Sequence, residues 1–469
     1  MTSPRTLRAL GAFAALLGFA ASAPLAGCGG NEAAPGDATA PCDPIAQTGC
    51  EAGLVCESVV GGASDGGAPV GCFAPVRFEG RVTRDEESGA PGAGAYVVAR
   101  DENGVATADG ALTAADGSYS LRVPAPRDAA GVPVASRYTL RVDAQGYESF
   151  PGALRVPLPI DVREATAPGY AVANAATSIV LFSSERPTAT AIIRGRVEAP
   201  SPGGTLVVTD GTTAIADRSG AFTLFNVEPG ARVVRGFAAG VQLDATVNAG
   251  ADAPAQAVWR ARDRPLASVG GSVNIVNAPG GSRTSVVLAV EETFVAALER
   301  GEVPRGLRAG DVSGAFRIDG VPDGRYVVLA AFENDGLVRD PDPGIAGTQV
   351  LRFEAKGGAV DAGTFKVTGA LAVTSPGRDA PQGIRGAPTF VWADDSSETG
   401  YHLHVYDSRG TTLWEKLDIP SVKGSATVQV PYGGPALMPG RYYQFRATSV
   451  RSGAPIARTE ELRGVFQAQ

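Results

Sequence analysis

The stretch Asp217-Arg-Ser-Gly-Ala-Phe-Thr-Leu224 decides the fold of this chain, and two related stretches repeat its pattern. One reads Asp311-Val-Ser-Gly-Ala-Phe-Arg-Ile318, and a looser one reads Ala115-Asp-Gly-Ser-Tyr-Ser-Leu121. In each, a polar turn precedes an aromatic and an aliphatic residue two positions apart, and Gly220 can take the positive φ of a tight turn. Alternation places the two apolar residues on one strand face. A single hairpin cannot bury that face alone, so each copy predicts its own small β-domain.

The composition is typical of an all-β chain with several domains. At 469 residues the chain is too long for one core, which predicts roughly three to five domains. It contains 61 glycines and 34 prolines, and its Val, Thr, Phe and Tyr residues occur in short alternating runs, as expected for strands joined by many turns. The net charge of −8 offers no basic patch, so we expect no nucleic-acid partner.

Residues 1–27 have the features of a lipoprotein signal peptide. Two arginines precede an apolar run from Ala9 to Ala21, and small residues follow. The run is shorter than the about 20 residues of a membrane span, as in a secretion signal. Leu25-Ala-Gly-Cys28 resembles the bacterial lipobox, which implies that Cys28 receives a lipid and becomes the mature N-terminus. The alternative is an ordinary signal followed by an unrelated cysteine.

A lipid on Cys28 predicts attachment to a membrane. Each buried methylene of an acyl chain contributes about 0.8 kcal/mol, so several chains hold a protein firmly. By the same resemblance, Gly29 in place of Asp argues against retention in the inner membrane. We therefore expect an exported outer-membrane lipoprotein, on either the periplasmic or the cell-surface face. Residues 28–41 lack an apolar pattern and predict a flexible tether.

Four further cysteines define residues 42–75 as a small module: Cys42, Cys50, Cys56 and Cys72. An even number in an oxidising compartment predicts two disulfides, each contributing about 2–4 kcal/mol to a segment too short for a core. Three pairings are possible, and the spacing does not choose among them. A zinc site is the alternative, but the segment has neither a Cys-x2-Cys pair nor a nearby histidine.

Three repeats follow, at residues 76–185, 186–265 and 266–368. They open with Phe78-Glu-Gly-Arg-Val82, Ile193-Arg-Gly-Arg-Val197 and Val269-Gly-Gly-Ser-Val273. Together with the hairpins and with Ala144-Gln-Gly-Tyr147, these strands resemble the carboxypeptidase regulatory-like domain. The resemblance implies that each repeat is a prealbumin-like sandwich with a carbohydrate-binding-like fold. It implies little about function, because such domains occur in many different proteins.

The third repeat contains an insertion, Glu291-Glu-Thr-Phe-Val-Ala-Ala-Leu-Glu-Arg300. Phe294, Ala297 and Leu298 lie at positions i, i+3 and i+4, which predicts a short amphipathic helix. A partner-binding flap is one interpretation. A loop packed on its own sandwich is the other, and it is favoured because surface insertions cost little free energy. An acidic loop at residues 335–342 lacks the spacing of an EF-hand and predicts turns rather than a calcium site.

Residues 369–469 differ from the repeats and are richer in aromatic side chains. They resemble a fibronectin type III domain, because five residues match the pattern Leu-x-Pro-x-x-x-Tyr-x-Val-x-Val: Leu437, Pro439, Tyr443, Phe445 and Ala447. The resemblance implies that Tyr443 ties its strand to the backbone upstream and that Trp392 is buried in the second strand. The neighbouring Tyr442 is then expected to point to the opposite face.

The two histidines of the chain, His402 and His404, lie on one face of a predicted strand. A metal pair would need a third ligand that the sequence does not offer, so we interpret this face as solvated. A Ser-His-Asp arrangement would have to be built on this one strand, and the chain has no phosphate-loop or dinucleotide motif. We therefore predict no catalytic residues, no cofactor and no metal site, and expect that the protein is not an enzyme.

The fold class that follows is all-β, with tandem small β-sandwiches after a disulfide-rich N-terminal module. The predicted function is that of a membrane-anchored cell-envelope lipoprotein that acts as a binding or adhesion module for a glycan or a protein. One alternative is a structural spacer without a ligand, and another is an accessory or degenerate hydrolase. An exposed aromatic patch on residues 369–469 would favour binding by that region, and a uniformly polar surface would favour the spacer.

Overall fold

The computed structural model describes residues 42–469 except 45–46, 62–68, 85–88, 135, 153–154, 156, 185, 187, 251–253, 263, 277–280, 282, 297–299, 333–349, 380, 409 and 461–462. The predicted signal peptide, Cys28, the tether and the acidic loop at 335–342 lie outside the described residues. No helix in the described part of the chain is long and apolar enough to span a membrane. The structure is all-β, as predicted, and the helical residues of its described part are confined to three short 3-10 turns.

The N-terminal module is one hairpin held by two disulfides. Its strands are β1 (Val55–Ser58) and β2 (Val70–Phe73), which pair antiparallel. The disulfides join Cys42 to Cys56 and Cys50 to Cys72, which resolves the three pairings that the spacing left open. Their sulfur atoms lie close together because Cys56 and Cys72 are cross-strand neighbours.

The strands of the three repeats follow in chain order. The first repeat contains β3 (Val76–Arg84), β4 (Ala90–Pro91), β5 (Tyr96–Asp101), β6 (Ala111–Leu112), β7 (Ser118–Val123), β8 (Arg137–Asp143), β9 (Ile160–Asp161), β10 (Ala171–Val172) and β11 (Ile179–Leu181), with 3-10 turns at Val162–Glu164 and Ala175–Thr177. The second contains β12 (Ala191–Glu198), β13 (Leu206–Thr209), β14 (Thr212–Ile215), β15 (Ala221–Val227), β16 (Gly230–Ala238), β17 (Val241–Ala249) and β18 (Ala255–Arg260). The third contains β19 (Ala267–Val276), β20 (Thr284–Val290), β21 (Arg308–Val312), β22 (Ala315–Val321), β23 (Gly324–Phe332), β24 (Leu351–Ala355) and β25 (Gly358–Thr368), with a 3-10 turn at Glu291–Thr293.

The three repeats share one topology of two facing sheets. In the first sheet the opening strand pairs antiparallel with the hairpin strand and parallel with the closing strand or strands, as in the order β15-β12-β18. The second sheet is antiparallel, with orders β6-β5-β8-β9, β14-β13-β16-β17 and β21-β20-β23-β24. The hairpins that the sequence singles out therefore occupy equivalent places in all three repeats.

Residues 369–469 form a further pair of sheets with a separate core. The strands are β26 (Val373–Ser375), β27 (Gln382–Ile384), β28 (Thr389–Ala393), β29 (Gly400–Asp407), β30 (Thr412–Pro420), β31 (Thr427–Pro431), β32 (Tyr442–Arg451), β33 (Ala454–Arg458) and β34 (Val465–Ala468). One sheet has the order β26-β28-β31, and the other has the order β27-β34-β32-β29-β30 with β33 beside β32. Trp392 is fully buried between them, as expected.

The three repeats are packed together around a shared apolar cluster. Tyr96 and Val98 of β5 and Leu206 and Val208 of β13 turn away from their own cores and join the core of the third repeat. Phe237 of β16 meets a third-repeat tyrosine edge to face, with ring centroids 6.2 Å apart. Strands such as β5 and β13 are therefore buried on both faces. The sandwiches form one body rather than a string of separate domains.

The prediction of a helix over residues 291–300 is wrong. Only Glu291–Thr293 forms a 3-10 turn, Phe294 is extended, and Val295 forms an antiparallel bridge with Arg300. The hydroxyl of Thr293 donates to the carbonyl of Val290 (2.7 Å) and accepts from the amide of Glu302 (2.9 Å), which competes with helical hydrogen bonding. Phe294 packs on the outer face of β20 and β23, so the insertion covers its own sandwich.

Tyr443 makes the backbone contact that the sequence predicts. Its ring is buried, and its hydroxyl accepts a hydrogen bond of 2.9 Å from the backbone amide of Met438, five residues upstream. Tyr442 points to the other face of β32 and is only partly buried. The hydroxyl at 443 therefore fastens β32 to the segment that precedes it.

We expect Tyr443→Phe to lower the free energy of unfolding of this domain by roughly 0.5–1.5 kcal/mol, because the ring still packs but the hydrogen bond is lost. Tyr442→Phe is the matched control and should have little effect. Denaturant unfolding of the full chain, followed by tryptophan fluorescence, measures both, since Trp392 and Trp414 lie in this domain. Equal destabilisation by the two changes would contradict this role for Tyr443.

Candidate functional site

The turn that decides the fold also joins the first two repeats. Gly220 has a φ of 86°, as predicted, and Asp217 accepts hydrogen bonds within its own turn from Ser219 and Ala221. Its second carboxylate oxygen accepts from the Tyr96 hydroxyl (2.7 Å) and from the backbone amide of Gly110 (2.9 Å), both in the first repeat. Burial raises the pKa of Tyr96 well above its ordinary value, and the negative charge of Asp217 raises it further. The hydroxyl of Tyr96 therefore stays protonated and donates.

A buried ion cluster lies where the three repeats meet. The guanidinium of Arg141 is 1% exposed and forms a two-bond pair with Asp143, at 2.8 and 3.0 Å. It also donates to Thr213 of the second repeat (2.8 Å) and to Glu302 of the third (2.6 Å). One side chain therefore bonds to all three sandwiches.

The charges of this cluster compensate one another. Burial alone would lower the pKa of Arg141, but the charges of Asp143 and Glu302 outweigh it and raise the pKa. Burial likewise opposes the ionised form of Glu302, yet Arg141 and the nearby Arg100 bring its pKa below the ordinary value. Arg141 and Glu302 are therefore both ionised at neutral pH, and each depends on its partners to offset the cost of desolvation.

Arg127 attaches the disulfide module to the first repeat. Its backbone carbonyl accepts from the amide of Val60 (2.7 Å), and its amide donates to Ser58 (2.9 Å). Its buried side chain donates to the carbonyl of Ala74 (2.6 Å) and lies over the ring of Phe73, 5.3 Å from the centroid. The module is thereby held close against the first sandwich.

Glu57 makes this attachment sensitive to pH. Burial raises the pKa of its carboxyl to about 7, against the lowering effects of the Ala125 amide and Arg127. The pKa of Glu57 is higher in the folded chain than in the unfolded chain, so protonation of Glu57 stabilises the folded module. This stabilisation is complete below about pH 4 and is lost as the pH rises towards 7.

We expect Glu57→Gln to remove this pH dependence. Between pH 4 and pH 8, the free energy of unfolding of the disulfide module should fall by at most roughly 3 kcal/mol in the wild-type chain. In the variant it should not change with pH. Amide hydrogen exchange of residues 55–60 across this pH range measures the effect, with exposed Glu51→Gln as the control. The same slope in wild type and Glu57→Gln would contradict the assignment.

A groove of about 570 Å³ opens beside the hydrogen bond between Tyr96 and Asp217. It lies between the first repeat and the outer face of the sheet β15-β12-β18. Arg194 and Arg196 of β12 line it, because the intervening Gly195 faces inward. A Cβ on Gly195 would lie 2.0 Å from the ring of Trp259 and 2.7 Å from that of Phe222, so only glycine fits there. The two guanidinium groups therefore project from the same face of one strand.

The cross-strand neighbours of the two arginines form the rest of the groove lining, one row beside each arginine. Thr223 and Gln256 flank Arg194, while Ala221 and Val258 flank Arg196. The ring of Tyr96 forms the wall, and Val258 is 57% exposed. The groove thus combines two cations, two neutral hydrogen-bonding groups and a small apolar floor.

Neither arginine of the groove has an ion-pair partner among the described residues. Nearby carboxylates are already engaged: Glu198 pairs with Arg260 at 2.7 Å, and Asp109 lies 3.4 Å from Arg218. This leaves two uncompensated positive charges side by side in a chain whose net charge is −8.

The corresponding positions of the other repeats lack this feature. The first repeat has Glu79 and Arg81 there, and Arg81 is paired with Asp116 at 3.5 Å. The third repeat has Gly270 and Ser272. The local fold therefore does not require arginine at these positions, and the paired cations are specific to the second repeat.

The predicted histidine face is present. Tyr401, Leu403 and Val405 are fully buried, whereas His402 and His404 are partly exposed on the other face of β29. His404 lies 3.5 Å from Glu415; burial lowers its pKa more than Glu415 raises it. Among the described residues, the one group of three close metal-ligand atoms comprises Cys42, Cys50 and Cys72, which are oxidised in disulfides.

The described part of residues 369–469 presents no broad aromatic platform. Trp414 is partly buried and packs against Tyr432, with centroids 5.2 Å apart. The strongly exposed large apolar side chains of the described residues are all valine or leucine: Val60, Leu112, Val132, Val233, Val258, Val295 and Leu417. The surface that would favour ligand binding by this domain is therefore missing from its described part.

No family model and no curated protein matches the chain. Solved structures with some likeness include the TIE protein of Bacillus anthracis, 11% identical over 81% of this chain and 68% of that one, with a TM-score of 0.15. A Streptococcal ancillary pilin is 14% identical over 58% and 94%, with a TM-score of 0.16. A putative carbohydrate binding protein from Bacteroides uniformis is 12% identical over 43% and 99%, with a TM-score of 0.15. At such TM-scores none of them defines a function for this chain.

Proposed function

We propose that the chain is a cell-envelope lipoprotein that binds an external ligand through the groove between its first two sandwiches. The observation that carries this proposal is the pair of arginines, Arg194 and Arg196, which project without partners into a formed groove. Leaving two like charges adjacent and uncompensated does nothing for the fold. Their placement is explained by a ligand that supplies the opposite charge.

The shared core favours a binding body over a spacer. A spacer needs only reach, and separate sandwiches joined end to end would provide it. Here the outer faces of β5 and β13 are buried against the third repeat, and Arg141 bonds to all three sandwiches. Such packing fixes the walls of the groove relative to each other, which lowers the entropic cost of binding.

Export and anchoring rest on the sequence and are consistent with the disulfides. Two disulfides in a small N-terminal module are expected of a protein that folds in an oxidising compartment. We propose that Cys28 carries the lipid, that the protein is placed at the outer membrane, and that residues 28–41 act as the tether.

At the family level, we propose three carboxypeptidase regulatory-like repeats and a fibronectin type III-like domain. The parallel pairing of first and last strands in each repeat and the Tyr443 contact support this proposal. We further propose that the protein has no catalytic activity of its own.

Screening the purified full chain against immobilised neutral glycans, acidic glycans and envelope proteins tests the binding function. We expect a ligand class whose binding is lost in Arg194→Glu/Arg196→Glu and retained in His402→Ala/His404→Ala. A chain that binds none of these ligands would overturn the proposal in favour of a spacer.

A further inference from the structure

We infer that the groove binds an acidic polysaccharide whose sugars carry carboxylates. This inference deepens the proposed binding function and rests on it. A guanidinium group presents its N–H donors in a planar fork that matches a carboxylate with two parallel hydrogen bonds. Arg194 and Arg196 are two residues apart on one strand, so their Cα atoms are roughly 6.5–7 Å apart. The two guanidinium groups can bind one carboxylate from two sides, or each can bind one of two neighbouring carboxylates.

The neutral lining fits a sugar better than a free inorganic anion. Ala221 and Val258 give a small apolar floor against which the C–H face of a sugar ring can pack. Thr223 and Gln256 lie across the sheet from Arg194 and carry groups that can donate to and accept from hydroxyls. The groove volume of about 570 Å³ lies within the range of about 300–1,000 Å³ that is typical of ligand sites.

The groove is open to solvent rather than enclosed, so a ligand longer than the groove can extend beyond it. Val258 of the floor is 57% exposed, so part of the floor faces solvent. Tyr96 of the first repeat forms a wall of the groove and is fixed by its hydrogen bond to Asp217. A polymer can therefore lie across β12 and place successive units beside the two arginines.

An oligomer of galacturonic acid is a suitable probe. We expect the purified full chain to bind it in isothermal titration calorimetry, with an affinity that falls as salt rises, since ion pairs contribute. Arg194→Ala/Arg196→Ala should weaken binding at least tenfold. Arg81→Ala/Arg122→Ala removes two exposed arginines from the first repeat and should leave affinity unchanged. The methyl-esterified oligomer, which keeps the ring but not the charge, should not bind.

Val258→Glu provides a second variant that removes no arginine. It places a carboxylate directly across from Arg196, so the charge is neutralised as Arg81 is by Asp116 in the first repeat. Because position 258 is exposed, this change should not alter folding, and it should weaken binding of the oligomer at least threefold. Thermal unfolding of each variant checks the fold.

Several outcomes would overturn the inference. One is no binding of the galacturonate oligomer, and another is equal loss in the groove variants and in Arg81→Ala/Arg122→Ala. Equal affinity for a polyglutamate peptide, with the same dependence on Arg194 and Arg196, would assign the groove to an acidic protein instead. In that last case the proposed binding function would stand and only the ligand class would change.

Discussion

Arg141→Met should lower the free energy of unfolding by about 3–5 kcal/mol, because it breaks a buried ion cluster. Methionine fills most of the space but leaves the buried carboxylate of Asp143 without its charged partner, and an uncompensated buried charge is costly. The hydrogen bonds to Thr213 and Glu302 are lost in the same step. Denaturant unfolding of the full chain at neutral pH measures the change.

Arg163→Ala is the control for this experiment. Arg163 is 57% exposed and pairs with Asp161 in the same repeat, so its removal should have little effect on stability. If Arg141→Met proved no more destabilising than Arg163→Ala, the ion cluster would not be a structural element of the protein.

Cys28→Ser should move the protein almost entirely from the membrane fraction to the soluble fraction. The proposed lipid is attached through the sulfur of Cys28, and serine provides no thioether. Ser22→Ala, in the same signal region, should leave the protein in the membrane fraction. Fractionation of cells followed by immunoblotting measures both. Unchanged membrane retention of the Cys28→Ser protein would contradict lipidation at this residue.

The strand pattern of the chain could be predicted because it depends on local rules. The Asp217 hairpin needs a turn residue, a glycine with positive φ and alternating apolar residues, and all of these are visible in the sequence. The same alternation separates His402 and His404 from Leu403 and Val405. Tyr443 could be predicted because its contact partner, Met438, lies only five residues away.

The packing of the repeats against each other could not be predicted from these local rules. Arg141 contacts Thr213 and Glu302, which are 72 and 161 residues away in sequence, and nothing beside Arg141 indicates them. One signal was available: Tyr96-Val-Val-Ala99 and Leu206-Val-Val208 are continuous apolar runs rather than alternating ones, as expected of strands buried on both faces.

The helix predicted at residues 291–300 does not form, because its apolar spacing fits a helix but the hydrogen bonds of its polar residues do not. Thr293 bonds to the backbone on both sides, and Glu302 is drawn into the ion pair with Arg141. The groove was missed for a different reason. Arg194-Gly-Arg196 resembles any solvated strand face until the first repeat forms a wall beside it.

The Arg141 cluster joins three sandwiches into one body, and this body fixes the walls of the groove. Native-state hydrogen exchange of the full chain, compared between wild type and Arg141→Met, tests it most directly. We predict that amides in β8, β14 and β23, one strand from each repeat, lose protection by the same free energy. Loss of protection confined to β8 and its neighbours in the first repeat, with β14 and β23 unchanged, would contradict the claim.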